Sequence, residues 1–188
     1  RRIEGTIEDM LDGALQFVKN NMRVSTVINP QTGKRNDKAD YPLTAVREVI
    51  LNALVHRDYS IHTEGMPIQL KMYNDRLEVE NPGGLYGRMT IDQLGKVQPD
   101  TRNPVLATAM ETLGLTENRY SGIPTICSEM KNAGLPAPKF EDNKESFTVT
   151  LYNNTESLKD DMDSTDSLLE FCSIPRTRSE IANYLGIT

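Results

Sequence analysis

The chain has 188 residues, enough for one well-formed core and a small second module. Its composition, 37% hydrophobic and 26% charged, is that of a soluble globular protein, and no apolar run approaches the roughly 18 residues that a membrane span needs. The net charge is −6; residues 153–188 hold seven acids against three bases, so −4 lies there and −2 is left for residues 1–152, a body with no electrostatic footprint for DNA.

The first residues, Arg1 to Gly5, are not followed by a signal-peptide apolar core, and the absence of a starting Met predicts a fragment of a longer chain. Residues 3–22 read as a helix, because Ile3, Ile7, Met10, Leu11, Ala14, Leu15 and Val18 recur at three- and four-residue steps. Residues 29–40 are polar and turn-rich and read as a loop that closes an N-terminal segment, 1–40.

The next helix is expected from Pro42 to Arg57, with Val46, Val49, Ile50, Ala53 and Leu54 on one apolar face. A strand pair follows: Ile68, Leu70 and Met72 alternate, Asn74-Asp75-Arg76 turns, and Leu77 and Val79 resume the alternation before Asn81-Pro82-Gly83-Gly84. Thr90 and Gln93 have capping-box spacing ahead of a short helix. Asn103-Pro104 reads as an N-cap with Pro at the first helical position, and Gly114 ends that helix. Another helix follows Gly122 and stops at Gly134, and Phe147, Val149 and Leu151 alternate in a last strand. This order predicts an α+β fold over 41–152, with helices on one face of a largely antiparallel sheet.

Residues 153–167 read as a polar linker. After them Leu168, Leu169 and Phe171 begin a helix, and Thr177 and Glu180 form a capping box ahead of Ile181, Ala182 and Leu185. The segment 168–188 fits the start of a helix-turn-helix that lacks its recognition helix, so residues 1–188 alone are expected to bind duplex DNA weakly. Cys127 and Cys172 each sit in an apolar helical pattern, which predicts buried thiols in a reducing cytoplasm. Two His and two Cys without ligand spacing argue against a structural zinc site.

Three features bear on chemistry. Glu48, Asn52 and His56 are spaced by four, so they form one stripe along the 42–57 helix, away from its apolar face. Leu51 and Val55 flank the stripe, so Glu48 and Asn52 are expected to be partly buried and in need of partners, which a metal and phosphate would supply; a solvated helix edge fits the spacing too. Gly83 and Gly84 after a strand allow close approach of a ligand, or simply a tight turn. Ser121-Gly122 opens a helix whose free N–H groups suit phosphate, or is an ordinary cap.

The order Glu48-x3-Asn52-x3-His56-Arg57-Asp58, Asn81-Pro82-Gly83-Gly84, Arg102-Asn103-Pro104, Ser121-Gly122-Ile123-Pro124 resembles the GHKL (gyrase, histidine kinase, MutL) ATPase-type domain of a bacterial family of transcriptional regulators and RecG-related, helicase-like proteins. The resemblance covers residues 1 to about 152. It implies a Bergerat-type two-layer sandwich, preceded in the family by a Schlafen-type AlbA-like DNA-binding domain and followed by a winged helix. It implies ATP and Mg²⁺ as ligands, with Asn52 holding the metal and Glu48 acting on the attacking water. His56 would stand near the phosphates, Asn81 and Gly83 (with Gly84) at the adenine, and Ser121 and Gly122 at the phosphate turn. DNA would be met through the attached modules, no membrane is involved, and a homodimer fits the family. Asn81 stands where the wider superfamily has Asp, and Tyr120 where a Gly is common. These departures leave open a second reading, a scaffold or dimerisation module that binds no nucleotide.

Overall fold

The computed structural model describes residues 1–28, 31–33, 35–97, 100–116, 121–154 and 177. The chain divides into two compact units, 1–153 and 154–188. All described elements belong to the first, and the expected segment at 168–188 lies outside the described residues apart from Thr177.

Helix α1 (Ile7–Asn21) starts later than the apolar periodicity suggested. Thr6 caps it: the Thr6 hydroxyl accepts from the Asp9 N–H, and the Asp9 carboxylate accepts from Thr6 in return. Ile3 lies before the helix and packs over Gly13 instead. Strands β1 (Val24–Ile28) and β2 (Arg35–Ala39) then pair antiparallel. The loop expected over 29–40 is therefore half strand. Sequence alternation fails to show it because the apolar side chains described at its ends are little buried: Val24 and Ile28 are exposed, and Ala39 is only half-buried.

Helix α2 (Leu43–His56) is the centre of the unit. Eight of its fourteen residues are buried, including Leu51 and Val55 beside the polar stripe. It packs against α1, against α4 (Gly122–Asn132) and against the main sheet. A shorter helix, α3 (Pro104–Thr112), contributes Met110 to the core.

The main sheet has the order β3-β4-β6-β5, all antiparallel, with β3 (Gln69–Met72), β4 (Arg76–Pro82), β5 (Lys139–Asp142) and β6 (Ser146–Tyr152). Its register sorts the faces. Leu77 opposes Leu151, Val79 opposes Val149, and Asn81 opposes Phe147. These residues, with Leu70, Met72 and Phe140 across the neighbouring pairs, face the helices and join their core. The intervening positions carry Lys71, Glu78, Glu80, Thr148 and Glu141. One face is thus apolar and covered and the other mostly polar, the arrangement of an α+β fold of mixed layers. Strand β5 went unread in the sequence, being four residues long, at an edge and mostly polar.

Candidate functional site

The polar stripe on α2 lies inside the molecule because the helix has almost no solvated side. Asn52 and His56 line a cavity together with Val49 and Ala53 of the same helix. The sheet contributes Val79 and Asn81 from β4 and Phe147 and Val149 from β6. Gly122, Ile123 and Ile126 of α4 close a second side. The segment between β4 and α3 closes a third, through Leu85, Tyr86, Leu94 and Val97. The walls are mainly apolar, with a few convergent amides, which is the make-up of a small-molecule site.

Three buried polar atoms at or beside this cavity have no hydrogen-bond partner among the described residues: Asn52 Nδ2, Asn81 Oδ1 and Arg102 Nη1. Asn81 is only 4% exposed. An unsatisfied polar group in such a place costs about 1–3 kcal/mol, a cost that a hydrogen bond from a bound molecule would offset.

Six of the eight residues singled out in the sequence converge here. Asn52, His56, Asn81, Gly83, Gly84 and Gly122 all line the cavity. Glu48 and Ser121 do not. The Glu48 carboxylate, 16% exposed, pairs at 3.2 Å with Arg47, whose other amino group donates to the Leu115 carbonyl at 2.7 Å. Ser121 precedes α4 without a side-chain capping bond, and Tyr120 lies outside the described residues.

The glycines have distinct reasons. Gly122 abuts Asn52: a Cβ there would stand 2.8 Å from Asn52 Nδ2. Gly83 has φ of +91°, and a Cβ on it would meet Arg102 Nη1 at 2.5 Å and Asp58 Cβ at 2.7 Å. Its N–H donates to the Glu145 carbonyl at 2.7 Å, and that of Gly84 to the Lys144 carbonyl at 3.0 Å. Both amides are therefore committed to the β5–β6 turn. What the glycine pair admits most closely is the protein's own chain.

His56 is held below the usual imidazole range, first by burial and then by the nearby Arg102 cation, so it stands neutral at pH 7. Arg102 was only part of a motif in the sequence. In the structure its Nη2 reaches the Gly84 carbonyl at 3.4 Å and its guanidinium lies 5.1 Å from the Tyr86 ring centre. Asn103 corrects another expectation. It precedes α3 but makes no capping bond to it. Its amide instead donates to the carbonyls of Val55 and Arg57, at 2.8 and 2.7 Å, and so caps the C-terminus of α2. Neither role has a sequence signal, since both depend on which loop meets which helix. Cys127 is a further correction: it is exposed, because α4 turns Ile126 and Met130 to the core and leaves the neighbouring position outside.

Among the described residues no helix is long and apolar enough to cross a membrane, and no three His, Cys, Asp or Glu side chains form a metal-binding group.

Residues 65–151 match the family model described as "Putative ATP-dependent DNA helicase recG C-terminal". The matched stretch runs from just before β3 to β6, so it contains Asn81, the glycine pair and Gly122, whereas α2 precedes it. None of the curated proteins matches the chain. Among solved structures the fold is similar to that of the DIP2311 protein from Corynebacterium diphtheriae, with 26% identity and a TM-score of 0.70 over 79% of this chain and 30% of that one. The chain thus spans about a third of that protein's length.

Proposed function

We propose, from the premise that residues 65–151 form an ATPase-like domain of the RecG-related family, that this chain binds a nucleoside triphosphate with Mg²⁺ in the cavity between α2, α4 and the sheet. One observation carries the reading: two amides, the half-buried Asn52 and the buried Asn81, line the same apolar cavity, and each holds a buried polar atom without a hydrogen-bond partner among the described residues.

The residues fit the group. Asn81 Oδ1 is an acceptor that the adenine amine would satisfy with a neutral hydrogen bond. Asn52 sits one helix turn before His56, with no Cβ opposite it at Gly122. The two ends of an amide are interchangeable by a half-turn, so Asn52 can offer Oδ1 to a metal or Nδ2 to a phosphate oxygen. No protein cage for a cation is needed: Mg²⁺ commonly takes one or two protein ligands and completes its octahedron with phosphate oxygens and water. Asn52 would hold the ion, which when bound would supply positive charge to offset that of the phosphates. His56, neutral, adds no repulsion or attraction of full charge and can donate or accept one hydrogen bond at the cavity wall. The apolar walls exclude water from the base.

Glu48 is proposed as the residue that orients the attacking water in any hydrolysis. Its pairing with Arg47 and its place outside the cavity lining favour binding over rapid turnover, and so favour a nucleotide-operated switch. Attached modules that meet DNA, in a cytoplasmic transcriptional regulator, complete the proposal. It rests on the family resemblance and on the near-neutral charge of residues 1–152, which carry −2.

Calorimetry with ATP, with and without Mg²⁺, tests the reading. Saturable Mg²⁺-dependent binding that Asn52→Ala removes is expected. No binding by the well-folded protein would leave the scaffold reading in its place.

A further inference from the structure

We propose that Asn81 makes this site tolerant of the base's 6-position, so that it accepts 6-oxopurine as well as 6-aminopurine nucleoside triphosphates. The inference rests on the nucleotide reading above and concerns only what the base end of the cavity selects.

The argument starts from the side chain. A carboxylate at this position only accepts hydrogen bonds, so it pairs with an amino group and opposes a carbonyl. A carboxamide has an acceptor at one end and a donor at the other. Against an adenine edge its oxygen takes the amine hydrogen while its nitrogen gives to a ring nitrogen. Turned by half a revolution, the same group gives its N–H to a 6-carbonyl and takes a hydrogen from the ring N1–H. Which edge it reads therefore depends on whether the protein fixes the amide's orientation.

Here the protein does not fix the oxygen. Asn81 Oδ1 is buried and has no hydrogen-bond partner among the described residues, so rotating the amide breaks none of the described hydrogen bonds at that atom. The lining next to the amide is apolar, and the Arg102 cation beside the cavity is turned to the Gly84 carbonyl and the Tyr86 ring. The cross-strand neighbour is Phe147 and the nearby cavity wall includes Val79 and Val149. Of the ionisable groups lining the cavity, His56 is held neutral, and Asp100 is exposed to solvent and accepts the Arg88 backbone N–H. The backbone of Asn81 is fixed in the β4–β6 ladder, so the amide turns without moving the strand.

ATP and ITP form the decisive pair of probes, because inosine differs from adenosine only in the 6-position and its consequent N1–H. Their affinities, measured by calorimetry with Mg²⁺ at pH 8 on the intact chain, should lie within about tenfold of each other, as expected when one neutral hydrogen-bond pair replaces another. Asn81→Asp should open the gap to about a hundredfold in favour of ATP, since the 6-carbonyl would then face a buried carboxylate. A preference of the parent for ATP beyond a hundredfold overturns the inference and leaves nucleotide binding intact. So does an ATP-to-ITP ratio that Asn81→Asp leaves unchanged in a variant with the parent's circular dichroism. Failure of both nucleotides to bind removes the functional reading and this inference with it. If Asn81→Asp does not fold, the parent's ratio alone decides.

Discussion

Gly122 opens its helix directly against Asn52, so closely that a methyl group on Gly122 would lie 2.8 Å from the Asn52 amide nitrogen. The glycine is where α4 meets α2, and the space it leaves is the space Asn52 uses. The obstacle an added Cβ would meet is the tip of a side chain, which can move, rather than backbone, which cannot. Gly122→Ala should therefore spare the fold and displace the amide. We expect a melting-temperature change within about 4 °C and a loss of Mg²⁺-ATP affinity of about tenfold or more, matching the loss of one charge-assisted contact. An alanine variant with the parent's affinity would show that Asn52 is not held in place by this contact.

Asn103 ties α3's entrance to the exit of α2. Its two hydrogen bonds satisfy the carbonyls of Val55 and Arg57, which have no partner further along the helix. Asn103→Ala should cost about 1–3 kcal/mol in denaturant unfolding. Asn103→Asp should cost more, since a carboxylate would face two carbonyl oxygens. Equal stabilities of Asn103→Asp and the parent would contradict the capping role.

The contrast between Asn103 and α2 shows what the sequence could reveal. The stripe Glu48, Asn52, His56 and the flanking Leu51 and Val55 are a one-dimensional pattern that pointed to partly buried polar groups but left a solvated helix edge open; the structure buries Leu51 and Val55 with six other residues of the helix. The alternation of Leu77, Val79 and of Phe147, Val149, Leu151 likewise foretold the two central strands and the face they cover. What stayed hidden was decided by contacts distant in sequence or by the lack of burial. The β1–β2 hairpin and β5 have little apolar face to betray them. Cys127 looked buried beside Ile126, but a helix face is only a few residues wide. Asn103 had a good local capping position and used its amide on a different helix.

Glu48 gives a prediction that separates binding from chemistry. A group that acts on the attacking water contributes to the chemical step and not to ground-state affinity. Glu48→Ala should leave ATP affinity within about threefold of the parent and reduce any phosphate release by about a hundredfold or more. A loss of affinity equal to the loss of turnover would instead make Glu48 a binding residue. The Arg47 partner supplies a control, because Arg47→Ala leaves the carboxylate in place while removing its ion pair.

The last prediction concerns acid. His56 is largely buried against the cavity, and burial together with the Arg102 cation holds its folded-state pKa below the ordinary imidazole value of 6.5. In the unfolded chain it titrates near that ordinary value, so as pH falls the unfolded state takes up the proton first. Stability linked to neutral His56 is thus fully present above about pH 6.5 and is lost progressively as pH drops from the unfolded value through the lower, folded one. The melting temperature should therefore decline on acidification from pH 7 to pH 5. His56→Gln, which keeps a polar group of similar reach and cannot titrate, should decline less over that interval. Arg102→Met should act in the opposite place: with the cation gone, only burial depresses the imidazole, and the His56 titration followed by proton NMR should move up. A parent and a His56→Gln variant with the same slope of melting temperature against pH would refute the linkage. An unchanged His56 titration in Arg102→Met would assign the whole depression to burial and detach Arg102 from the site's electrostatics.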